Sequence, residues 1–153
     1  MRLSTRGRYS LKMMVDIARN GAQGSPVSLI TISQRTRISH GYLEQLALSL
    51  RRAGLLRGVA GRRGGYLLAR PAREINVRNV IEAAVGPVNL VDCVDGPEKC
   101  PTGEDCECRL VFDLITRRVT ETMEEISLAD LADRDWQHRI RARSGNLLAT
   151  IER

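Results

Sequence analysis

Apolar residues in the first half of the chain recur at the spacing of amphipathic helices. The first predicted helix covers about residues 8–20 and has its apolar face at Leu11, Met14, Val15 and Ala18. The same spacing predicts a helix that begins after Ser39 and ends before Gly54, with its apolar face at Leu43, Leu46, Ala47 and Leu50. Ser39 is its expected N-cap. A shorter helix between them, residues 29–36, has Ser28 as its expected N-cap. Residues 37–39 form the expected turn between this shorter helix and the helix that follows Ser39, so the pattern predicts a helix-turn-helix.

Two short strand candidates follow the helix-turn-helix. Residues 55–60 and 66–69 are separated by Gly61-Arg62-Arg63-Gly64-Gly65, in which the glycines permit a tight turn and the arginines make it cationic. A hairpin with a cationic tip in this position predicts the wing of a winged helix.

The second half of the chain predicts three more helices. The first ends at Gly86-Pro87 and has its apolar face at Val77, Val80, Ile81 and Ala84. A longer helix, residues 109–123, carries a stripe at Val111, Ile115, Val119 and Met123, with Leu110 and Leu114 beside it. One amphipathic helix outside the main core needs a partner, and the symmetric solution is a second copy of the chain. Ser127 is the expected cap of a short last helix, residues 128–133.

We therefore expect a mainly α-helical fold with one small β-hairpin wing. Its expected parts are a winged helix-turn-helix DNA-binding domain at 1–86, a cysteine loop at 87–108, a dimerisation helix with a short terminal helix at 109–135, and a flexible basic tail at 136–153. Aromatic residues make up only 3% of the chain, so aliphatic side chains have to form the core.

Positive and negative charges are separated along the chain. Residues 1–73 hold fourteen Arg or Lys and two acidic residues, whereas residues 74–153 hold ten Arg or Lys and sixteen acidic residues. A general preference for arginine would not separate the two signs in this way, so we expect double-stranded DNA as the partner of the first half. No stretch has the pattern of a signal peptide or the length of a membrane span, which predicts a cytoplasmic protein without membrane contact.

The second helix of a helix-turn-helix places its first turn against base edges in the major groove. The residues expected to contact DNA there are Ser39, His40, Gly41, Tyr42 and Gln45. Gln45 is the best candidate for reading a base because its amide can bond adenine twice, and Glu44 could accept from cytosine. Arg51 is expected near a backbone phosphate, and Arg62 and Arg63 suit the minor groove or phosphates.

All four cysteines fall within sixteen residues, at Cys93, Cys100, Cys106 and Cys108. In a reducing compartment, crowded cysteines indicate metal ligands or reactive thiols rather than disulfides. Their spacing, C-x6-C-x5-C-x-C, matches neither the paired ligands of structural zinc sites nor the ferredoxin patterns. The wide gaps suit an iron-sulfur cluster, with [2Fe-2S] favoured over [4Fe-4S]. A zinc site, simple thiol chemistry and reduced bystander cysteines are the alternatives.

The chain resembles the IscR-like family of bacterial winged-helix regulators, also called the Rrf-two family. The resemblance rests on MRLSTRGRYSLKMMVDIA (1–18), RISHGYLEQLALSLRRAGLL (37–56) and GRRGGYLLARP (61–71), and INVRNVIEAAVGP (75–87) and the cysteine loop extend it to about residues 1–132. It implies a homodimer that is joined through the long helix and binds a pseudo-palindromic operator. Members of the family respond to iron-sulfur cluster status, nitric oxide or cysteine supply.

The resemblance also implies roles for particular residues. The DNA-reading residues of the family correspond to Ser39, Gly41 and Gln45. Ala60 replaces the arginine at the base of the family's wing, so Arg62 or Arg63 would take over its contact. The three cysteines that hold the cluster in the family correspond to Cys93, Cys100 and Cys106.

The fourth cluster ligand differs from the family pattern. Arg109, which cannot ligate, stands where the family has a histidine, and Cys108 is the obvious substitute. Because residues two positions apart on a helix point about 200° apart, Cys106 and Cys108 can converge only if Cys106 lies in the loop. Otherwise a group from a partner subunit or an acidic residue completes the site, the acidic candidates being Glu104, Asp105 and Glu107. The nitric-oxide-sensing branch takes an aspartate from the N-terminal segment, and Arg8 at that position argues against this branch.

We therefore expect a dimeric DNA-binding transcriptional regulator, acting as a repressor, whose operator affinity is controlled by an iron-sulfur cluster. The alternatives are a zinc- or thiol-based redox regulator and a regulator controlled by a protein partner of cysteine metabolism. An iron-sulfur electron carrier is a third alternative, but it would have no use for a cationic wing. The sequence contains no catalytic triad, phosphate loop or paired catalytic carboxylates, so we expect no enzyme and assign no catalytic residues.

Overall fold

A computed structural model describes residues 4–21, 24–91, 94, 106–136, 138 and 140. The helices in this part of the chain are α1 (Thr5–Asn20), α2 (Leu29–Thr36), α3 (His40–Arg52), α4 (Val77–Val85), α5 (Glu107–Glu124) and α6 (Leu128–Ala132). Strands β1 (Leu56–Val59) and β2 (Gly65–Leu68) form an antiparallel pair, and Ala72–Glu74 form a 3₁₀ turn. The predicted mainly helical fold with one hairpin is confirmed. Most of the predicted cysteine loop and basic tail lies outside the described residues.

Helix α1 is the central element of the core. It begins three residues before the predicted start because the side chain of Ser4 accepts a hydrogen bond from the amide of Gly7 at 3.1 Å and caps the helix. Met13, Met14 and Ile17 are almost completely buried. They lie where α1 contacts α2, α3, α4, α6 and β2, so α1 supports the helix-turn-helix from behind.

The helix-turn-helix forms as predicted. The hydroxyl of Ser28 accepts from the amide of Thr31 at 3.2 Å and caps α2. The predicted apolar face of α3 is fully buried and consists of Leu43, Leu46, Ala47 and Leu50. Ser39 occupies the N-cap position of α3, but its side chain makes no capping hydrogen bond. Burial of one face fixes the rotation of α3, and the opposite face is therefore presented to solvent.

The hairpin is attached to the helix-turn-helix by a third segment. Its register runs from Leu56 opposite Leu68 to Val59 opposite Gly65. Strand β1 is one residue shorter at each end than the predicted range 55–60, and β2 begins and ends one residue before the predicted range 66–69. Val27 and Tyr66 exchange two backbone hydrogen bonds of 2.9 Å, a pairing the sequence pattern did not predict. At Gly65, where φ is +157°, a Cβ atom would lie 2.5 Å from the carbonyl oxygen of Val27, so only glycine permits this approach.

The C-terminal helices return to the core. The amide of Leu128 donates to the carbonyl of Ile75 at 2.8 Å, and the amide of Val77 donates to the carbonyl of Ile126 at 2.9 Å. Leu128 is fully buried in the core that α1 organises. The hydroxyl of Ser127 caps α6 as predicted, and α6 ends at Ala132, one residue before the predicted end. This return fixes the C-terminal end of α5 to the winged helix.

Candidate DNA-binding surface and cysteine segment

Helix α3 presents the predicted base-reading residues on its exposed side. Ser39, His40, Gly41 and Gln45 are all exposed. The hydroxyl of Ser39 is not used to cap α3 and therefore remains available to an external partner. Side chains that project freely from a helix with a rigid buried face are the arrangement that major-groove recognition requires.

Tyr42, also predicted to contact DNA, has a second role within the protein. It is half-buried, and its ring packs edge-on against Tyr9 of α1, with centroids 6.0 Å apart and an interplanar angle of 79°. This geometry is favourable for two aromatic rings. Tyr42 therefore helps to hold α3 on α1.

A second connection between α1 and α3 involves a residue that the sequence did not single out. The guanidinium of Arg6 donates to the hydroxyl of Ser49, and this hydroxyl lies 3.5 Å from the carbonyl oxygen of Gln45. Arg6 belongs to the basic N-terminal segment, but nothing in the local sequence pattern indicates a contact with α3. The orientation of the reading helix thus depends on contacts at Tyr9 and Arg6.

His40 and Glu44 lie one turn apart on the exposed side of α3. Nδ1 of His40 is 3.8 Å from a carboxylate oxygen of Glu44, so the two groups form an ion pair only when the imidazole is protonated. Both side chains are well exposed. The pair places a donor and an acceptor side by side where α3 would meet base edges.

Arg51 lies at the junction of α3 and the wing. A Cβ atom built on Gly58 of β1 would be 3.9 Å from Cζ of Arg51 and 4.0 Å from Cε1 of Tyr66. The arginine is exposed, and its guanidinium carbon lies beside β1 of the hairpin. The phosphate contact predicted for Arg51 stays a prediction.

The wing and the start of α2 form a cationic groove of about 380 Å³. The predicted wing residues Arg62 and Arg63 line one side, and Ser28 and Thr31 line the other at the N-terminus of α2. Arg35 also lines the groove, but its guanidinium is paired with Asp16. Helix N-termini and arginine side chains both favour anions such as phosphate. The sequence analysis assigned the wing arginines but missed the contribution of α2, whose signal was the pair of hydroxyl residues in its first turn.

The cysteine segment leads directly into α5. Cys106 is the N-cap of α5 and has an extended backbone with φ −83° and ψ 112°, so it lies outside the helix. Cys106 is half-buried, and Cys108, in the first turn of α5, is exposed. Cys93 and Cys100 lie outside the described residues, as do Glu104 and Asp105. Within the described ranges, no three His, Cys, Asp or Glu side chains come together as a metal site.

Helix α5 begins at Glu107, two residues before the predicted start, and carries an exposed apolar patch near this end. Leu110 and Leu114 are 63% and 57% exposed, and Val111 and Ile115 lie beside them. Val119 and Met123, predicted to continue the stripe, are instead half-buried because the rotation of α5 turns them towards the body. We name Leu110, Val111, Leu114 and Ile115 the α5 patch. No helix in the described part of the chain is long and apolar enough to cross a membrane.

Arg78 connects α4 to α5. Its guanidinium donates to Glu82 of α4 at 2.8 Å and to Glu124 of α5 at 2.5 Å. The hydrogen bonds to Glu82 and Glu124 raise the pKa of Arg78 above its ordinary value, and the charge of both carboxylates acts in the same direction. Because an arginine remains protonated at any physiological pH, this connection does not change with pH in that range.

The chain is similar in sequence to known transcriptional regulators. Residues 3–134 match the family described as Rrf2, iron-dependent transcriptional regulator. The chain is 38% identical over 160 aligned positions to the HTH-type transcriptional regulator IscR of Pectobacterium atrosepticum, an alignment that covers 99% of this chain and 96% of the relative. It is 41% identical over 133 positions to IscR of Photorhabdus laumondii, covering 87% and 80%.

Solved structures give the same result. CymR, the global cysteine regulator of B. subtilis, superposes with a TM-score of 0.74 and 32% identity, covering 86% of this chain and 96% of that one. IscR of T. potens superposes with a TM-score of 0.70 and 33% identity, covering 86% and 85%. The winged-helix prediction is therefore confirmed, and a role in transcription regulation through DNA is supported over an enzymatic one. The chain belongs to the Rrf2 family of transcriptional regulators.

Proposed function

We propose that this protein is a homodimeric repressor whose affinity for a pseudo-palindromic DNA operator is controlled by an iron-sulfur cluster bound to Cys93, Cys100, Cys106 and Cys108. In this proposal, residues 1–86 bind DNA, residues 87–108 hold the cluster and residues 109–135 join the two subunits. We favour [2Fe-2S] over [4Fe-4S].

The observation that carries the proposal is the position of Cys106. It lies outside α5, which is the condition under which Cys106 and Cys108 could both face one iron. Thiolates are the usual protein ligands of iron-sulfur clusters. The N-terminus of α5 also favours negative charge, so the donor set and its surroundings fit an anionic thiolate-bound group.

The same helix connects the cysteines to the expected dimer interface. The α5 patch begins two residues after Cys108, and Arg78 ties the other end of α5 to α4. A bound cluster would supply a redox-sensitive crosslink between the loop and the start of α5. Small rotations of α5 would change the distance between the two α3 helices, which must match about one turn of DNA for both to dock.

Repression is the outcome we expect where such a dimer occupies DNA that other proteins need. Both α3 helices and both wings would lie along one face of the operator, and this DNA would then be closed to other proteins. A coupling free energy of about 1–3 kcal/mol between cluster and operator would change the operator affinity by about 5- to 150-fold.

Control by a protein partner is a second candidate, and the similarity to CymR, described as a global cysteine regulator, favours it. In that case the cysteines would be dispensable for regulation. A zinc site or a redox-active thiol would require the cysteines but would leave the protein without the visible absorption of a cluster.

The test is anaerobic purification of the full chain, followed by visible absorption, iron and sulfide analysis, and DNA binding by the holo and apo forms. The triple variant Cys93→Ser, Cys100→Ser and Cys106→Ser should lose the cluster absorption and the difference in DNA affinity between oxidised and reduced protein. Cys108→Ser alone tests the fourth ligand and should give a labile cluster. Ala129→Ser, at an exposed position of α6, introduces a serine away from the cysteines and serves as a control that should keep its cluster.

Each alternative gives a different result. Colourless protein with stoichiometric zinc contradicts the cluster. A triple variant that responds to oxidant like the wild type excludes any gating by these cysteines and favours a protein partner.

A further inference from the structure

We infer that Leu48 reads a thymine methyl group in the major groove, next to the bases contacted by Gln45. This inference rests on the proposed docking of α3 on DNA and assigns to that surface a specificity contact that the polar residues cannot make.

Leu48 lies on the face of α3 that is opposite the core. The buried face is set by Leu43, Leu46, Ala47 and Leu50. Gly41, Glu44, Gln45 and Leu48 follow the spacing i, i+3, i+4 and i+7, which places all four on the exposed face. Homeodomains read the major groove with side chains at this same spacing on their recognition helix. Leu48 therefore occupies the fourth reading position.

The chemistry of Leu48 differs from that of its neighbours. Helix α3 is described along its whole length, and its exposed residues are His40, Gly41, Glu44, Gln45, Leu48, Arg51 and Arg52. Leu48 is the one aliphatic side chain among them and is 48% exposed. The major groove offers one aliphatic group, the 5-methyl of thymine, and apolar side chains recognise it by direct contact. An apolar residue at a reading position thus has one matching chemical partner on DNA.

Gly41 provides an independent indication that this face approaches a partner closely. Its φ is not positive, and a Cβ atom built on it would meet nothing within 4 Å. The fold therefore does not require glycine at this position, although glycine is less favourable than alanine in a helix. A missing side chain one turn before Gln45 allows α3 to lie deeper in a groove and brings Leu48 towards the base edges.

The experiment uses the full-length protein and a 30-base-pair duplex that the wild type has selected from a random pool. Each thymine is replaced in turn by deoxyuridine, which removes only the methyl group, and the Kd is measured by fluorescence anisotropy at fixed salt. We expect one thymine in each half-site at which wild-type affinity falls about fourfold, the effect of removing one buried methyl group, about 0.8 kcal/mol.

Three variants assign this loss to Leu48. Leu48→Ala should bind the thymine duplex more weakly and should no longer distinguish thymine from deoxyuridine at that position. Leu48→Met keeps an aliphatic side chain of similar volume and should retain the discrimination. Ile30→Ala removes an exposed aliphatic side chain from α2 and should also retain it. Because Leu48 is half exposed, all three variants should unfold at nearly the wild-type temperature, as circular dichroism can check.

The inference is overturned if Leu48→Ala and the wild type lose the same affinity at every deoxyuridine, or if the wild type loses none. In both cases salt-sensitive selection of a duplex would still support the docking of α3. If no duplex is selected at all, the docking of α3 fails and the inference fails with it.

Discussion

Arg37 holds the turn of the helix-turn-helix in a conformation that L-residues adopt at a cost. Its φ of 62° and ψ of 25° are left-handed, and its amide donates to the carbonyl of Ser33 at 2.9 Å. The hydroxyl of Ser33 donates to the carbonyl of Ile38 at 2.6 Å and closes the turn from the other side. The left-handed conformation costs a non-glycine residue about 1–2 kcal/mol. The angle between α2 and α3 is thus maintained against local strain.

Replacing Arg37 with glycine should stabilise the protein. We expect the free energy of unfolding to rise by about 0.5–1 kcal/mol, because glycine removes the strain but adds entropy to the unfolded chain. Urea unfolding followed by circular dichroism measures the change. Arg37→Ala removes the same charge but keeps a Cβ atom, so it should give no gain. Equal stabilisation by both variants would mean that charge, not backbone strain, limits the turn.

Single-residue predictions from sequence succeeded where the chemistry is local. Ser28 and Ser127 were predicted as caps, and each hydroxyl accepts from the amide three residues later. The contact from Arg6 to Ser49 spans 43 residues, and the partners are brought together only by the packing of α1 on α3. A left-handed Arg37 was likewise not foreseen, because its side chain gives no sign of that backbone state. Ser39, expected to cap α3 in the same way, makes no capping bond. Local hydrogen bonds were therefore predictable in two of three cases, whereas long-range ones depended on the assembled core.

At the scale of elements, α5 is the helix whose surroundings are incomplete. Only Thr116 is buried on α5 in the described structure, although the helix has 18 residues. The four aliphatic side chains of the α5 patch are neighbours on the helix surface, and each is at least 41% exposed. A continuous exposed apolar surface on a helix indicates a protein interface. Around a two-fold axis this patch would meet the same patch of a second chain.

A charge in the α5 patch should separate the subunits. Leu114→Glu should weaken the dimer at least about 100-fold, because association would bury an unpaired carboxylate at a cost of several kcal/mol. Analytical ultracentrifugation over a range of protein concentrations measures the effect. Thr122→Glu adds the same charge to α5 two turns further along and should remain dimeric. A Leu114→Glu protein that stays dimeric would place the interface on another surface.

Periodicity predicted the elements better than their ends. All six helices lie where the spacing or a serine cap placed them, yet α5 begins two residues early and α1 three, because Cys106 and Ser4 occupy the cap positions. The hairpin register depends on pairing with Val27, a residue outside both strand candidates. The sequence could not predict that the first half of the α5 stripe is exposed and the second half is half-buried, since the rotation of α5 depends on the helices against which it packs.

At the scale of the whole molecule, the net positive charge lies in the half of the chain that forms the winged helix. The basic half of the sequence folds into the helix-turn-helix and wing. Arg62 and Arg63 share a groove with the start of α2, and the guanidinium of Arg51 lies beside β1 of the wing. Sequence composition indicated a polyanion as the partner but could not show that α2 and the wing share one groove. The acidic half forms α4, α5 and α6, and a groove between α4 and α5 is lined by two arginines and four carboxylates, Arg78, Arg117, Glu82, Asp113, Glu121 and Glu124.

The salt dependence of operator binding should report the wing contacts directly. Each phosphate neutralised by a protein cation contributes about 0.9 to the slope of log K against log salt concentration. If Arg62 and Arg63 each contact one phosphate per half-site, Arg62→Ala with Arg63→Ala should reduce the magnitude of this slope by about 3 to 4 and weaken binding equally on all sequences. Arg73→Ala with Arg134→Ala removes the same charge from exposed positions outside α3 and the wing, and should leave the slope within about one of the wild-type value. Equal changes in the two double variants would show that net charge alone attracts DNA, since only a docked wing makes the position of an arginine matter.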